Sequence, residues 1–342
     1  MSILEKKITE VISDVNIPWE KLSGKTILIT GASGLLGSVF AKSLLSKFKD
    51  TDAAINVVLM SRSFEKISSV FDDFLKMDQV HFINNLNEFI GDKLDYVVHF
   101  ASPTSSGDFV RTPVEVMSDI VGLTNSILHF ANKYNAKLLY ISSMEVYGRV
   151  DQEIVDESDL GFIDICESRS SYPVAKRFSE SLCLAWHNEY NLDIKIARLT
   201  LTFGPGISKT DNRVFAQFAR SSINHTPIVL HTEGLTKRDY IHIADAIRGL
   251  LYILLKDSKE LVFNVSNPNT YITIRELAEK FSKISGSAVI VDTSKNLNQY
   301  APTVRINLSV NRLQSLGWQP YFGIDEMLSL IHISEPTRPI SI

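Results

Sequence analysis

The sequence predicts an α/β protein: a doubly wound parallel sheet with helices on both faces and a smaller C-terminal substrate-binding lobe. Three observations predict it. Short apolar runs alternate with helical patterns as far as Thr200, the arrangement expected of βαβ units. The first run, residues 26–30, turns through Gly31, Gly34 and Gly37 into an amphipathic pattern over 38–48. Beyond Gly204-Pro-Gly206 the alternation fades, which marks the second lobe.

Residues 1–22 read as a helical extension. Ile3, Leu4, Ile8, Val11 and Ile12 recur at helical spacing, Asn16-Ile-Pro18 ends the helix, and Trp19 packs it on the main domain. Residues 23–203 form mainly a Rossmann-type domain. Strand, glycine turn and helix are the context a dinucleotide-binding loop requires. Gly31 allows the tight turn, Gly34 lets the backbone approach a pyrophosphate, and Gly37 lets the helix pack closely on the strand. Ser33, Leu35 and Leu36 complete the loop, and the helix N-terminus offers free N–H groups to phosphates.

Further strands are expected at 55–60, 80–84, 96–101, 137–142 and 193–200, with helices at 64–77, 113–134 and 171–190. Residues 204–327 form mainly the second lobe, interleaved with the first domain. Helices are expected there at 214–222, 243–255 and 274–284, the last capped by Thr273, and strands at 228–231 and 262–265. Residues 328–342 (LSLIHISEPTRPISI) lose the amphipathic pattern and carry two prolines. They resemble the translation of a sequencing adapter and read as a non-native tail.

Composition narrows the function. A net charge of −4 and 22% charged residues give no electrostatic case for nucleic acid. Cys166 and Cys183 form no metal-ligand cluster and read as buried free thiols. No apolar run reaches the ~20 residues that span a bilayer, and no secretory leader is evident, so a cytoplasmic protein is expected. His225, His231 and His242 lack metal spacing, and no metal is implied. His99, Tyr147 and Trp318 read as packed structural residues, and Arg198 as an ion-pair partner or a ligand.

Tyr172-Pro-Val-Ala-Lys176 places a phenol and an ammonium on one helix face. The lysine charge favours the phenolate and is expected to lower the tyrosine pKa into a range useful for proton transfer. The pair follows Ser142-Ser-Met-Glu-Val-Tyr-Gly148 and the glycine loop, in that order.

With those motifs, the chain resembles the extended short-chain dehydrogenase/reductases that act on nucleotide sugars. His99-Phe-Ala-Ser102, Arg198 with Gly204-Pro205, Lys237-Arg-Asp239 and Leu316-Gly-Trp-x-Pro320 complete the likeness, which covers roughly residues 24–327. The resemblance implies a bound nicotinamide dinucleotide touching Ala101 and Ser102, Tyr172 as acid/base at the sugar hydroxyl, Lys176 on the nicotinamide ribose and Ser143 on the same hydroxyl. It also implies a homodimer formed through helices 113–134 and 171–190.

Within that family the chain looks most like the UDP-glucuronate decarboxylases. His99-Phe-Ala-Ser-Pro-Thr-Ser105, Ser143-Met-Glu-Val-Tyr-Gly148, Arg169 and Asn212-Arg-Val214 carry the likeness. It implies transient oxidation of sugar C4 and loss of the C6 carboxylate. Glu145 would be the acid near C5, its pKa raised by burial. Ser105, Arg169, Arg213, Arg238 and Arg305 would hold the substrate. The Asp of the dehydratases is Met144 here, which disfavours dehydration. A 4-epimerase or 4-ketoreductase of a deoxysugar pathway is the alternative. A non-catalytic sensor is disfavoured because Tyr172 and Lys176 are both present. NAD is the expected cofactor, although Arg62 after the second strand suits a 2′-phosphate and leaves NADP open.

Overall fold

The computed structural model describes residues 2–49, 51, 54–207, 211–294 and 303–333. Seven of the apolar runs pair into one parallel sheet: β1 (Thr26–Thr30), β2 (Asn56–Met60), β3 (Val80–Ile83), β4 (Tyr96–His99), β5 (Lys137–Ser143), β6 (Ile194–Leu199) and β7 (Val262–Val265). Their order is β7-β6-β5-β4-β1-β2-β3. The order reverses between β1 and β4, and at such a reversal a crevice opens beyond the strand C-termini.

The main helices are α1 (Ile3–Ile12), α2 (Leu35–Phe48), α3 (Phe64–Phe71), α4 (Pro113–Tyr134), α5 (Ser171–Tyr190), α6 (Val214–Ile223), α7 (Ile243–Leu255) and α8 (Ile274–Ser285). On one face of the sheet Ile27, Ile29 and Leu139 pack against Phe40 and Leu44 of α2 and Ile247 and Leu251 of α7. On the other, Leu28, Val97 and Ile196 meet Ile127 and Leu128 of α4 and Cys183 and Trp186 of α5. Every residue of α7 is buried, because the N-terminal segment covers its outer side. The expected packing role of Trp19 holds: it lies edge-on to Phe48 in the same cluster. Arg248 of α7 reaches Asp14 at 2.8 Å and Asp245 at 3.2 Å, all three buried. No helix among the described residues is long and apolar enough to cross a membrane.

Three expectations need correction. The helix expected over 64–77 ends at Phe71, and tight turns follow (Phe74 N–H to Phe71 C=O, 2.7 Å). Asp72 and Asp73 would place negative charge at a helix C-terminus, where the dipole opposes it. A second sheet, absent from the sequence reading, joins Asn267–Thr273, Lys237–His242, Arg305–Leu308 and Ile154–Val155, with Leu201–Phe203 beside Lys237–His242. These strands are short and polar, and their stability comes from distant partners rather than local pattern. Cys166 is exposed, although both thiols are free.

The expected tail boundary at residue 328 falls inside a helix. A helix spans Ile324–Ile333, and Met327 and Leu328 are fully buried with Phe215, Phe218, Leu277 and Phe281. The remainder of the expected tail, 334–342, lies outside the described residues. Truncation after Met327 is therefore expected to cost about 2–5 kcal/mol, the usual range for deleting a buried leucine side chain. Thermal unfolding of chains ending at Met327 and at Ile333 checks this; equal midpoints would contradict it.

Candidate functional site

At the reversal between β1 and β4 lies a cleft of about 1530 Å³. Gly31 sits at its floor with φ +66°, and a Cβ there would meet the Ala101 backbone N at 2.7 Å. A Cβ on Gly37 would lie 2.4 Å from the Gly31 carbonyl oxygen. The two loops thus close on each other only because both positions lack side chains. Gly34 is the N-cap of α2 and supplies no side-chain cap, which leaves the first-turn N–H groups of Leu35, Leu36 and Gly37 without intrahelical acceptors. All four residues line the cleft, together with Ser33, Ala101 and Ser102. An uncapped helix N-terminus facing a cavity fits the pyrophosphate of a dinucleotide. When bound, that cofactor supplies a hydride acceptor and donor.

Past β2, Ser61 hydrogen-bonds Ser33 through their hydroxyls at 2.9 Å. Arg62 stands at the cleft wall with its side chain 94% exposed, and its guanidinium is 3.8 Å from the Asp119 carboxylate of α4. That carboxylate would oppose a 2′-phosphate beside Arg62, which argues for NAD over NADP.

The other end of the cleft gathers Ser143, Glu145, Arg169, Tyr172 and Lys176. Ser143 ends β5, and its Oγ accepts the Glu145 N–H at 3.2 Å, turning the chain into a short 3₁₀ helix, Met144–Tyr147. Tyr172 and Lys176 lie one turn apart on α5, both buried. Lys176 Nζ donates to the Ile141 carbonyl at 2.8 Å, and burial pulls its ammonium down to about 8. Burial raises the Tyr172 phenol above its ordinary value and the Glu145 carboxylate adds to this, while the Ser143 hydroxyl and Arg169 oppose it. The expected lowering by Lys176 is corrected. The ammonium sits 5.9 Å from the ring centre and points at a carbonyl, so desolvation dominates.

Glu145 also departs from expectation. Its side chain is 32% exposed, and the Arg169 guanidinium approaches its two oxygens at 3.0 and 2.9 Å. It is an ion-paired carboxylate at the cleft wall rather than an acid in an apolar pocket.

Arg213 and Arg238 both line the cleft. Arg213 is held by Asp211 at 3.0 Å, and Arg238 Nε is buried without a hydrogen-bond partner. Ser105 and Arg305 do not line the cleft; both are exposed, the first on the loop after β4 and the second at the start of the strand Arg305–Leu308. Ser105 lies between Thr104 and Ser106, which do line the cleft, and Arg305 pairs with Lys237 next to the cleft residue Arg238.

Several motif residues serve the fold. His99 is buried between the Thr30 and Thr124 hydroxyls, at 2.7 and 3.4 Å, and burial holds its imidazole down at about 3. Arg198 binds Glu180 at 2.6 Å, along with the Tyr147 hydroxyl and the Glu157 carbonyl, so it is a structural ion pair. Tyr147 and Trp318 are core. Asp239 ties strands together, accepting from the Leu308 N–H at 2.9 Å and from the Ser266 hydroxyl.

Burial pushes the Asp239 carboxyl up to about 7. The folded chain therefore keeps a proton that the unfolded chain releases near pH 4. Its contribution to stability is full below about pH 4 and is lost as pH rises through 7. Asp239→Asn is expected to flatten the difference in unfolding free energy between pH 5 and pH 8 by about 1–3 kcal/mol. Denaturant titrations at the two pH values check this, and an unchanged difference would contradict it.

Asp119 and Phe109 are among the cleft residues that escaped the sequence reading. Asp119 lies inside a helix, and Phe109 follows an irregular loop sixty-three positions before Tyr172 (172 − 109). Nothing local marks either of them. Among the described residues no group of His, Cys, Asp and Glu could hold a metal ion.

The model of the NAD dependent epimerase/dehydratase family matches residues 27–266. Relatives include UDP-glucuronic acid decarboxylase 6 of Arabidopsis thaliana, 25% identical over 90% of this chain and 88% of the relative. UDP-glucuronic acid decarboxylase 1 of Xenopus tropicalis is 24% identical over 95% and 75%, respectively. Among solved structures, an epimerase from Methanothermobacter thermautotrophicus superposes with a TM-score of 0.78 at 22% identity, covering 93% of this chain and 94% of that one. The UDP-glucuronic acid 4-epimerase of Bacillus cereus, in complex with NAD, gives 0.73 at 22% identity, over 90% and 98%.

Proposed function

The chain belongs to the NAD dependent epimerase/dehydratase family and is an NAD-dependent enzyme of nucleotide sugars, and from that premise we propose that it decarboxylates a nucleotide-linked uronic acid such as UDP-glucuronate. Gly31 to Gly37, Ala101 and Ser102 hold NAD, and Arg213 and Arg238 take the diphosphate of the sugar nucleotide. Tyr172 removes the proton of the C4 hydroxyl as C4 is oxidised, and Ser143 holds that oxygen. The resulting 4-ketone makes the C6 carboxylate a β-keto acid, which leaves as carbon dioxide. C5 then takes a proton, and Tyr172 returns its own to O4 when the ketone is reduced.

The observation that carries this reading is Glu145. It lies in the cleft, bound by Arg169, and close enough to Tyr172 to act on its ionisation. In this reading Glu145, open to solvent at the cleft wall, takes up a proton from water and passes it to C5 after carbon dioxide has left, a task a 4-epimerase does not have. Arg169, beside Glu145, gives the cleft a cation suited to an acidic sugar.

Incubation with UDP-glucuronate and NAD is expected to release carbon dioxide and form UDP-xylose. Glu145→Gln should lower that release by about 10²–10⁴-fold, the usual size of a general acid–base contribution, with NAD binding unchanged. UDP-galacturonate without carbon dioxide would instead support the 4-epimerase. Met144 argues against dehydration and does not separate these two readings: it is buried, and its sulfur accepts from Thr200 Oγ1 at 3.3 Å, so it offers no proton donor.

We also propose a homodimer through α4 and α5, which leave Val114, Met117 and Phe178 exposed. A monomer in sedimentation at micromolar concentration would contradict it.

A further inference from the structure

Phe109 sits in the short helix Asp108–Arg111, buried yet part of the cleft lining. Its ring lies flat against that of Tyr172, with centroids 4.3 Å apart and planes within 8°. The Arg169 guanidinium also rests on the Phe109 ring, 4.9 Å from its centre. Ser171, the residue before Tyr172, donates its hydroxyl to the Phe109 carbonyl at 2.9 Å. Phe109 is thus fixed to α5 by backbone and ring together. It touches both the tyrosine and the arginine that binds Glu145.

We infer that Phe109 is a positioning residue, a flat support that sets the plane of the Tyr172 ring and seats Arg169 so that the two proton-transfer groups face one sugar. The inference rests on the reading of Tyr172 as acid/base. Phenylalanine has no proton to give, so any effect it has on turnover must pass through its neighbours. A phenol ring held only at Cβ can tilt about χ1 and χ2. A parallel neighbour removes that freedom and moves the hydroxyl as a rigid unit with the Ser143 side of the cleft. Displacement of a reacting group by about 1 Å costs on the order of 10²-fold in rate. The same stack shields one ring face from water, in keeping with the raised phenol.

The test uses the full chain loaded with NAD and UDP-glucuronate as probe. Phe109→Leu is expected to lower kcat about 10- to 100-fold, with a smaller rise in KM from the loosened seat of Arg169. Phe109→Tyr, which keeps the flat ring, is expected to stay within about threefold of the parent. Wild-type kcat in F109L, or a loss in F109Y as deep as in F109L, would overturn the inference. Tyr172→Phe run alongside separates the two levels. An inactive Y172F beside a fully active F109L removes the inference alone, whereas an active Y172F removes the reading beneath it. Phe109→Met, of similar volume, takes the place of F109L if the latter does not fold. Nitration of Tyr172 by tetranitromethane, read by peptide mass, needs no turnover: it is expected to be at least about tenfold faster in the stack-less variant, and equal rates would overturn the inference.

Discussion

Tyr172→Phe is expected to lower kcat by about 10²–10⁴-fold, the usual contribution of a positioned acid/base, while the protein folds and binds NAD as before. The ring carries the packing, since it is the ring that stacks on Phe109 and lies 5.9 Å from Lys176 Nζ. The hydroxyl carries the chemistry. Its loss leaves Ser143 one hydrogen bond short at a cleft open to water, a small structural cost. The phenol is held above its ordinary value by burial and by Glu145, so below that value it is protonated in the unliganded protein. The rate of the parent enzyme should therefore rise with pH, and that limb should vanish from the residual activity of the variant. Cofactor titration with pH-rate profiles checks both statements. A variant that keeps parental kcat would contradict them.

The largest expected loss of stability follows Arg248→Met. Arg248 is buried between Asp14 and Asp245, and its Nη1 also donates to the Gln319 carbonyl at 3.0 Å. Asp245 accepts the backbone N–H groups of Tyr321 and Phe322, both at 3.0 Å, so the arginine joins three separated segments. Methionine fills similar volume but leaves two buried carboxyl groups without their cation. Breaking a buried pair in this way costs about 3–5 kcal/mol. Asp245 is already pushed up to about 6 by burial and can take a proton to lessen the loss, so the cost should grow as pH rises above 6. Thermal unfolding is expected to show a fall of on the order of 10 °C at neutral pH. An unchanged midpoint would mean that the N-terminal segment is not part of the core.

The parallel sheet was legible because each strand is a run of apolar residues bounded by turn residues. Helices 113–134, 171–190 and 243–255 were legible to the residue. Thr273 could be read as a cap because Glu276 completes a local capping box with it. The second sheet was not legible. Lys237 pairs with both Thr273 and Arg305, and no local spacing encodes partners that far away.

The candidate site divides in the same way. Gly31, Gly37, Tyr172 and Lys176 act through spacing within one turn or one helix, and motif reading finds them. Phe109 on Tyr172 and Asp119 beside Arg62 arise only when separate elements meet. Protonation was the least legible property of all. The pattern Tyr172-x-x-x-Lys176 suggests a lowered phenol, yet burial, which spacing does not encode, moves it the other way.

Transient oxidation at sugar C4 by cofactor held in this cleft leaves an isotopic signature in the product. UDP-glucuronate deuterated at C4 is incubated with the NAD-loaded protein in ordinary water, and the product is read by NMR. Return of the same hydride predicts UDP-xylose that keeps deuterium at C4. The same reaction run in heavy water with unlabelled substrate should place one solvent deuterium at C5. Washout of the C4 label into solvent, or recovery of unchanged UDP-glucuronate, would contradict the account.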